Sequence, residues 1–199
     1  MENKLKRIEP FSPEENPNSV LFHYARYRFA GRMLSKKDRV LDVGCGVGSG
    51  THFLTEFCDM ITGIDIDPEV IKKASSTYWK LPQLHFHVMD AQDIIKTSIP
   101  SFNVIVSIDN IEHLENPEYS VFHAYEILPV GGMFICGTPR KQDIPLRNSW
   151  HNHEFEADDF FELLETHFPR VFRFAMNEET VSVFNVNTCW YLWGIGIKL

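Results

Sequence analysis

Several features are missing from this sequence of 199 residues, and each absence narrows the class of protein. The four cysteines are widely scattered and form no CxxC pair, which indicates reduced, mostly buried thiols in a cytoplasmic setting. The polar start MENKLKRIEPFSPEENPNS lacks the apolar stretch of a signal peptide, and no apolar run approaches the roughly 18 residues that a membrane span needs. We therefore expect a cytoplasmic protein with no membrane partner.

An excess of positive charge is also missing. The net charge is −8 and the isoelectric point is near 5.6, with no stripe of lysine and arginine, which argues against nucleic acid as the main partner. The length suits one domain, which we place at residues 19–199, as a monomer or a homodimer. Residues 1–18 are polar and broken by three prolines, so they predict a flexible arm.

Short apolar runs alternate with helical patterns along the chain. Strands are predicted in RVLDV, MITGIDI, QLHFHVMD, FNVIVSI, GGMFICGTP, RVFRFAM and CWYLWGIGIKL. The first helix is expected to start at Ser19, with Ser19 or Asn18 as its cap, and a later helix is capped by Asp67 before Pro68. This alternation predicts an α/β fold with one doubly wound, mostly parallel seven-stranded sheet, helices on both faces and an antiparallel C-terminal edge hairpin.

The stretch RVLDVGCGVGSGT places an acid and four glycines directly behind the first strand. Ser49 stands where the dinucleotide pattern GxGxxG needs its third glycine, and no Lys-Ser or Lys-Thr pair follows as it would in a phosphate loop. Acids also stand at or just past the ends of successive strands, at Asp42, Asp65, Asp90 and Asp109. Because parallel strands end at one edge of a sheet, these acids predict a rim that binds hydroxyls and amines rather than phosphates.

Five stretches in order resemble the successive motifs of class I (Rossmann-like) S-adenosylmethionine-dependent methyltransferases, in the small-molecule, type 11-like branch. They are VLDVGCGVGSG, ITGIDIDPEVI, FHVMDAQDI, FNVIVSIDNIEHLENPE and LPVGGMFICGTPR. The likeness covers nearly the whole chain from Ser19 onwards. It implies S-adenosyl-L-methionine as the cofactor. The stretch LPVGG departs from the more usual LKPGG of the family, which affects only a surface turn.

The resemblance also implies which residues hold the cofactor. Asp65 would bind both ribose hydroxyls, Ile66 would pack on the adenine, and Asp90 would accept a hydrogen bond from the adenine amino group. Arg26, in the pattern HxxRY, would pair with the cofactor's carboxylate. The full implied set is Arg26, Asp42, Gly44, Cys45, Gly46, Asp65, Ile66, Asp90, Ala91, Ser107 and Ile108.

A hydroxyl acceptor needs a group that takes its proton. The stretch DNIEHLENPE, just after the fourth strand, offers Asp109, Glu112 and His113 as candidate catalytic residues. His113 is the best candidate base, because an ordinary histidine titrates near neutral pH. A purely structural role for His113, beneath the helix that opens at Asn116, is the alternative.

A second cluster, WHNHEFEADDF, follows the long loop after the fifth strand, and we expect Trp150, His151 and His153 in it to bind the acceptor. We assign no metal ligand, although D-x-x-E-H with the later H-x-F-E partly resembles the metal site of small-RNA 3′-terminal 2′-O-methyltransferases. The positions that match are Asp109, Glu112, His113 and His153. Asp109 stands where that family has glutamate, which shortens one arm by a methylene.

The expected acceptor is a hydroxyl group of a small molecule, such as a sugar or a natural-product intermediate. An amine stays open, because an acidic rim suits an amine too. Two alternatives remain at this point. One is RNA 2′-O-methylation with a metal-assisted site, and the other is a non-catalytic regulatory module that binds S-adenosylmethionine, since the cofactor-binding acids would also persist in a sensor.

Overall fold

The computed structural model of the chain describes residues 9, 12, 14–96, 101–142 and 151–199. The strands are β1 (Arg39–Val43), β2 (Met60–Asp65), β3 (Leu84–Val88), β4 (Val104–Ile108), β5 (Met133–Pro139), β6 (Arg170–Asn177), β7 (Thr180–Ser182) and β8 (Tyr191–Ile197). The α-helices are α1 (Pro17–Arg32), α2 (Ser49–Leu54), α3 (Pro68–Thr77), α4 (Pro117–Ile127) and α5 (Ala157–Glu165). Short 3₁₀ helices follow β3 (Ala91–Lys96) and β4 (Ile111–His113).

All eight strands form one sheet in the order β3-β2-β1-β4-β5-β8-β6-β7. The strands from β1 to β5 pair in parallel, and β8 pairs antiparallel with both β5 and β6. The chain runs outward from β1 to β3 on one side and from β4 to β5 on the other, so strand order reverses between β1 and β4. Ligands of such sheets bind beyond the carboxyl ends of the strands at this reversal.

Alternating side chains of the central strands serve two cores, one on each face of the sheet. Leu41 and Ile105 belong to the core under α4 and α5, whereas Val40 and Val106 belong to the core under α1 and α2. Both faces are apolar because a parallel sheet is covered by helices on each side. The predicted α/β fold with helices on both faces is therefore confirmed.

The first helix begins earlier than the sequence predicts. It starts at Pro17 and is capped by Asn16, whose side chain accepts a hydrogen bond from the Asn18 amide, so the expected cap at Ser19 or Asn18 is wrong. The fixed φ of proline suits the first position of a helix, and Pro17 is better placed there than in a loose arm. Most of the predicted arm at residues 1–18 lies outside the described residues.

The sheet also has one strand more than the predicted seven. The chain turns at Glu178, whose φ is +53°, and returns as the three-residue strand β7, which pairs with β6. The two long C-terminal strands pair antiparallel as predicted, but β8 lies inside the sheet between β5 and β6. None of the helices in the described part of the chain is long and apolar enough to cross a membrane.

Candidate active site

A pocket of about 330 Å³ opens beyond the carboxyl ends of the central strands, where strand order reverses. The residues proposed from the sequence that line it are Gly44, Cys45, Gly46, Asp65, Ile66, Asp90, Ala91, Ile108, Asp109 and His113. Further lining residues, which were not proposed as site residues from the sequence, are His23, Tyr27, Val47, Ser49, Met89, Gln92, Asn110, Leu114 and Glu115. The parallel sheet thus brings the ends of β1, β2, β3 and β4 to one site.

The glycine turn after β1 forms one wall of this pocket with its backbone. The amides of Gly44 and Cys45 both donate to the Ile64 carbonyl of β2, at 2.8 and 2.9 Å, which fixes the turn against the neighbouring strand. Gly44 has a φ of +78°, and a Cβ built there would lie 2.4 Å from Asn110 Oδ1. A side chain at residue 44 would therefore strain the backbone and push into the Asn110 side chain.

Asp65 and Ile66 form the next wall, at the end of β2. The Asp65 carboxylate accepts hydrogen bonds from the amides of Gly46 and Asp67, both at 3.0 Å, which hold it beside the glycine turn. Ile66 leaves 63% of its surface exposed at the pocket, an apolar face available to a flat ring. Asp90, at the end of β3, accepts from the Gln92 amide at 2.8 Å. Carboxylates of this kind can bind ribose hydroxyls and an exocyclic amine.

Asp42 lies beneath the turn rather than on the pocket wall, and its side chain is fully buried. Thr51 Oγ1 donates to its carboxylate at 2.7 Å, and the Tyr27 hydroxyl donates at 3.3 Å. Burial raises the pKa of Asp42 to about 7, although the bonds from Thr51 and Tyr27 oppose this shift. Asp42 therefore connects α1, β1 and α2 under the pocket, and a direct contact with the cofactor has no support in this geometry.

Helix α1 contributes the histidine of the HxxRY pattern, which was not proposed as a site residue from the sequence. His23 lines the pocket, and its Nε2 lies 3.2 Å from Ser49 Oγ at the start of α2. Burial lowers the pKa of His23 to about 4, so its ring is neutral at physiological pH. The four-residue spacing of His23 and Tyr27 places both on one face of the helix, and this spacing is the pattern from which both could have been predicted.

Arg26 pairs with Asp109 instead of lining the pocket. Its Nη1 lies 2.5 Å from Asp109 Oδ2, and the guanidinium packs 4.3 Å from the centre of the Tyr191 ring. Asp109 has a φ of +51°, a left-handed conformation that turns the chain sharply at the end of β4. Arg26 is thus positioned as a partner of Asp109, and its expected role as partner of the cofactor's carboxylate stays a prediction.

Ser107 and Ile108, at the end of β4, were both expected to line the pocket floor. Ile108 does so, whereas Ser107 is buried beneath the floor and accepts a hydrogen bond from Asn110 Nδ2 at 3.2 Å. Ser107 therefore orients Asn110, which itself lines the pocket.

His113 lies at the far end of the pocket with Glu112 and His151 next to it. Its Nε2 is 4.0 Å from Glu112 Oε1, and its ring centre is 5.1 Å from that of His151. Glu112 is buried and accepts from Thr138 Oγ1 at 2.9 Å, and burial together with the charge of Asp109 raises its pKa to about 8. Burial and the neighbouring His113 lower the pKa of His151. His113 therefore faces a buried carboxyl group whose pKa is raised.

The set of four residues that resembled a metal site is not brought together. Glu112, His113 and His151 have ligand atoms within 4.8 Å of one another, whereas His153 stacks on Phe155 with ring centres 5.8 Å apart. The loop path is set by the amides of Asn152 and His153, which both donate to the Glu112 carbonyl. Trp150, the remaining residue expected to bind the acceptor, lies outside the described residues.

The arrangement of walls fits a nucleoside-containing ligand. The backbone of the glycine turn allows a ligand to approach closely. Asp65 and Asp90 present carboxylate oxygens, and Ile66 presents an apolar surface. The pocket lies at the reversal of strand order, where doubly wound sheets bind nucleotides. Sheet and pocket together are those of a Rossmann-like protein, with a pocket suited to such a ligand at the ends of β1 to β4.

Comparison with known proteins identifies the family within this class. The chain belongs to the methyltransferase domain family, whose model matches residues 13–182, and it is a class I S-adenosylmethionine-dependent methyltransferase. S-adenosyl-L-methionine is accordingly its cofactor. The resemblance seen in the five sequence motifs is confirmed.

Individual relatives agree with this family. A Mycolicibacterium smegmatis protein named "Probable S-adenosylmethionine-dependent methyltransferase" is 28% identical over 90% of this chain and 67% of its own length. The ubiquinone biosynthesis O-methyltransferase of Xanthomonas campestris pv. campestris is 27% identical over 65% of this chain, which spans only 53% of that protein. The N-methyltransferase NodS from Bradyrhizobium japonicum, solved with S-adenosyl-L-homocysteine, shares the fold with a TM-score of 0.67 and 18% identity, over 96% of this chain and 93% of that one.

Proposed function

We propose that the protein transfers the methyl group of S-adenosylmethionine to a hydroxyl group of a small polar molecule, with His113 accepting the hydroxyl proton. The observation that supports this most is the position of His113, which lines the cofactor pocket with its side chain 19% exposed. A hydroxyl becomes a better nucleophile as its proton leaves, and a positioned histidine is the usual acceptor of that proton. The bound cofactor supplies an electrophilic methyl group.

The other pocket residues position the reactants. In this proposal the Asp65 carboxylate binds the ribose hydroxyls, Asp90 binds the adenine amino group, and Ile66 packs on the adenine ring. Asp65 is well suited because two backbone amides already orient it. Holding cofactor and acceptor in line contributes a large part of the rate of such displacements, because it removes the entropy of bringing them together.

An amine acceptor is the second candidate, and the charge of the pocket favours it. Glu115 lines the pocket and, unlike Asp90 and Asp109, has no other partner assigned in this proposal, so its carboxylate is the one that would attract a protonated amine. The amine would have to lose a proton to become a nucleophile, and His113 would serve that step too. The two acceptor classes therefore differ in the product, not in the residues that hold the cofactor.

A methyl-transfer assay tests the proposal. The protein is incubated with S-adenosylmethionine carrying a labelled methyl group and with separate panels of sugars, phenols, amino sugars and short RNAs. We expect label in an O-methyl product of a small molecule, and label in an N-methyl product would instead support the amine. Transfer to RNA, or saturable S-adenosylhomocysteine binding with no turnover on any panel, would contradict the proposal. Turnover lost in EDTA and restored by Mg²⁺ would show that the Glu112, His113 and His151 side chains act as metal ligands rather than through a base.

A further inference from the structure

A second cavity lies next to the cofactor pocket, and we call it the side cavity. It measures about 240 Å³ and is lined by residues 139–142 after β5, by His151 and Glu154, and by Trp190 before β8. His151 connects the two spaces, because it lines the side cavity while its ring contacts that of His113 in the cofactor pocket. The His113–His151 pair is thus the shared boundary of the two cavities, and a molecule whose reactive group lies at His113 needs to pass only His151 to enter the side cavity.

The walls of the side cavity are held in place by the protein itself. Arg140 is buried, and its Nε donates to the Cys189 carbonyl at 2.9 Å while its amide donates to the Trp190 carbonyl at 3.0 Å. The Lys141 amide donates to the Phe155 carbonyl at 2.8 Å. Three distant segments of the chain are thus joined without a ligand, as expected of a preformed binding site.

Trp190 gives this cavity an aromatic wall. Its side chain is 57% exposed, although its backbone is fixed by the amide, which donates to Asn177 Oδ1 at 2.9 Å. Within residues 14–96, 101–142 and 151–199, no aromatic ring or cation stacks on the Trp190 indole. A rigidly held, exposed tryptophan is the type of residue that contributes most to binding.

The remaining walls are polar, and their charges compensate one another. Arg140 Nη1 and Lys141 Nζ lie 3.4 and 3.3 Å from the single carboxylate of Glu156, and Glu154 in the cavity lining supplies the second negative charge, so the two cations are balanced overall. Lys141, Gln142 and Glu154 together offer hydrogen-bond donors and acceptors. One aromatic face with mixed polar groups around it suits a ring that has C–H groups on its face and hydroxyls at its edge, because the face of an aromatic ring is electronegative.

We propose that the side cavity binds the body of the methyl acceptor, and that this body is a neutral polyhydroxylated ring of the sugar type stacked on Trp190. This inference rests on the proposed function, since it makes the side cavity an extension of the acceptor site. It also separates this protein from a methyltransferase for flat aromatic acceptors, which would need apolar walls on both faces of the ring.

Saturation-transfer NMR tests the proposal, with S-adenosylhomocysteine present throughout. The probes are methyl hexopyranosides, and 3,4-dihydroxybenzoate represents aromatic acceptors. We expect hexopyranoside binding at millimolar concentrations, weakened about tenfold in Trp190→Ala and within about threefold of wild type in Trp190→Phe, which retains an aromatic face. The matched control is Trp79→Ala, another exposed tryptophan that lines neither cavity, and it should bind the probe as wild type does.

Different outcomes of this experiment contradict the side-cavity proposal and the proposed function. Hexopyranoside binding that is unchanged in Trp190→Ala, or that is absent from the wild type, overturns the side-cavity proposal while leaving methyl transfer intact. If only 3,4-dihydroxybenzoate binds, and this binding is lost in Trp190→Ala, the side cavity holds the acceptor but the proposed sugar-type class is refuted. Failure of the wild type to bind S-adenosylhomocysteine would refute the proposed function itself. An unchanged melting temperature and unchanged S-adenosylhomocysteine affinity confirm that the Trp190 variants are folded.

Discussion

The two sides of the pocket are built in different ways. The cofactor side consists of backbone and short side chains at the ends of β1, β2 and β3, all within residues 44–91. The acceptor side consists of longer side chains from distant segments, such as Arg26 with Asp109, which are 83 residues apart, and His113 with His151. One side depends on local turns, and the other depends on tertiary packing.

This difference has a consequence for function. Backbone amides and carbonyls keep their positions when side chains change. On the cofactor side, cofactor binding should therefore be sensitive mainly to substitution of the glycines and of the carboxylates. The acceptor side can change its specificity through single side chains without altering the turn after β1. Substitutions on the cofactor side should therefore change cofactor affinity, whereas substitutions on the acceptor side should change turnover.

The largest expected effect tests the acceptor side. His113→Ala should lower kcat by about 10²- to 10⁴-fold, the usual contribution of a positioned base, with S-adenosylhomocysteine affinity unchanged in calorimetry. His87→Ala, an exposed histidine on β3 away from the pocket, is the control and should retain kcat. A lower melting temperature with near-normal kcat in His113→Ala would show that its role is structural.

The next effect tests the cofactor side. Asp65→Ala should weaken cofactor binding by about 1.5–3 kcal/mol, because hydrogen bonds to a charged group are lost, and calorimetry with S-adenosylhomocysteine measures it. Asp67→Ala removes the cap of α3, where the side chain accepts from the Glu69 amide, and should lower stability without this loss of affinity. An equal dissociation constant in Asp65→Ala and wild type would place the ribose elsewhere.

Two glycines with the same backbone conformation sharpen the role of the turn. Gly44 and Gly131 have φ values of +78° and +79°, but a Cβ at Gly131 meets nothing within 4 Å whereas one at Gly44 meets Asn110. Both alanine variants carry backbone strain of about 1–2 kcal/mol, and Gly44→Ala should lose a further 1–3 kcal/mol or so of stability to crowding. Urea unfolding measures both. Cofactor affinity should fall only in Gly44→Ala, and a fall in Gly131→Ala would contradict a role specific to the turn.

The last effect appears as a slope against pH rather than as a loss at one pH, and it concerns a buried acid on each side. Burial raises the pKa of Asp42 from 3.8 to about 7 and that of Glu112 from 4.5 to about 8. The folded protein then binds protons more tightly than the unfolded chain, so the free energy of unfolding should fall as pH rises through about 4–7 for Asp42 and about 4.5–8 for Glu112. Asp42→Asn and Glu112→Gln should each make this decline shallower, by up to about 1.4 kcal/mol per pH unit.

Urea unfolding across this pH range measures the slopes. Asp93→Asn removes an exposed carboxylate and serves as the control, with the slope of the wild type. A slope that stays the same in Asp42→Asn would mean that Asp42 is ionised in the folded protein throughout the range, despite its burial.

The cofactor side could be predicted from the sequence largely because it is local. Glycines behind a strand, and acids at the ends of successive strands, are read from neighbouring residues, and the parallel sheet then brings Asp65 and Asp90 to one edge. Burial was harder to predict. Asp42 is the penultimate residue of β1 and pairs with Gly63, whereas Asp65 is the last residue of β2, and Thr51 and Tyr27 enclose Asp42 from α2 and α1.

The acceptor side was predicted only in part, for the opposite reason. His113 and His151 were both named, yet their contact depends on how the loop after β5 returns to the Glu112 carbonyl, which no short pattern encodes. The same dependence decides that His151 rather than His153 lies beside His113. In the fold, β7 escaped prediction because it is only three residues long and lies in a polar segment.

The position of β8 also orders events during synthesis of the chain. β8 follows the other seven described strands in the chain, yet it lies between β5 and β6, and β6 has β8 and β7 as its neighbours in the sheet. The ribosome releases the chain from its N-terminus onwards, so β1 to β5 can pair first. β6 and β7 can join this sheet only after β8, which links them to β5, has emerged. The cofactor side, at the ends of β1, β2 and β3, can therefore form while the chain is still being synthesised. The side cavity with Trp190 can close only after β8 emerges, and the open edge of β5 is the surface that a nascent chain must protect until then.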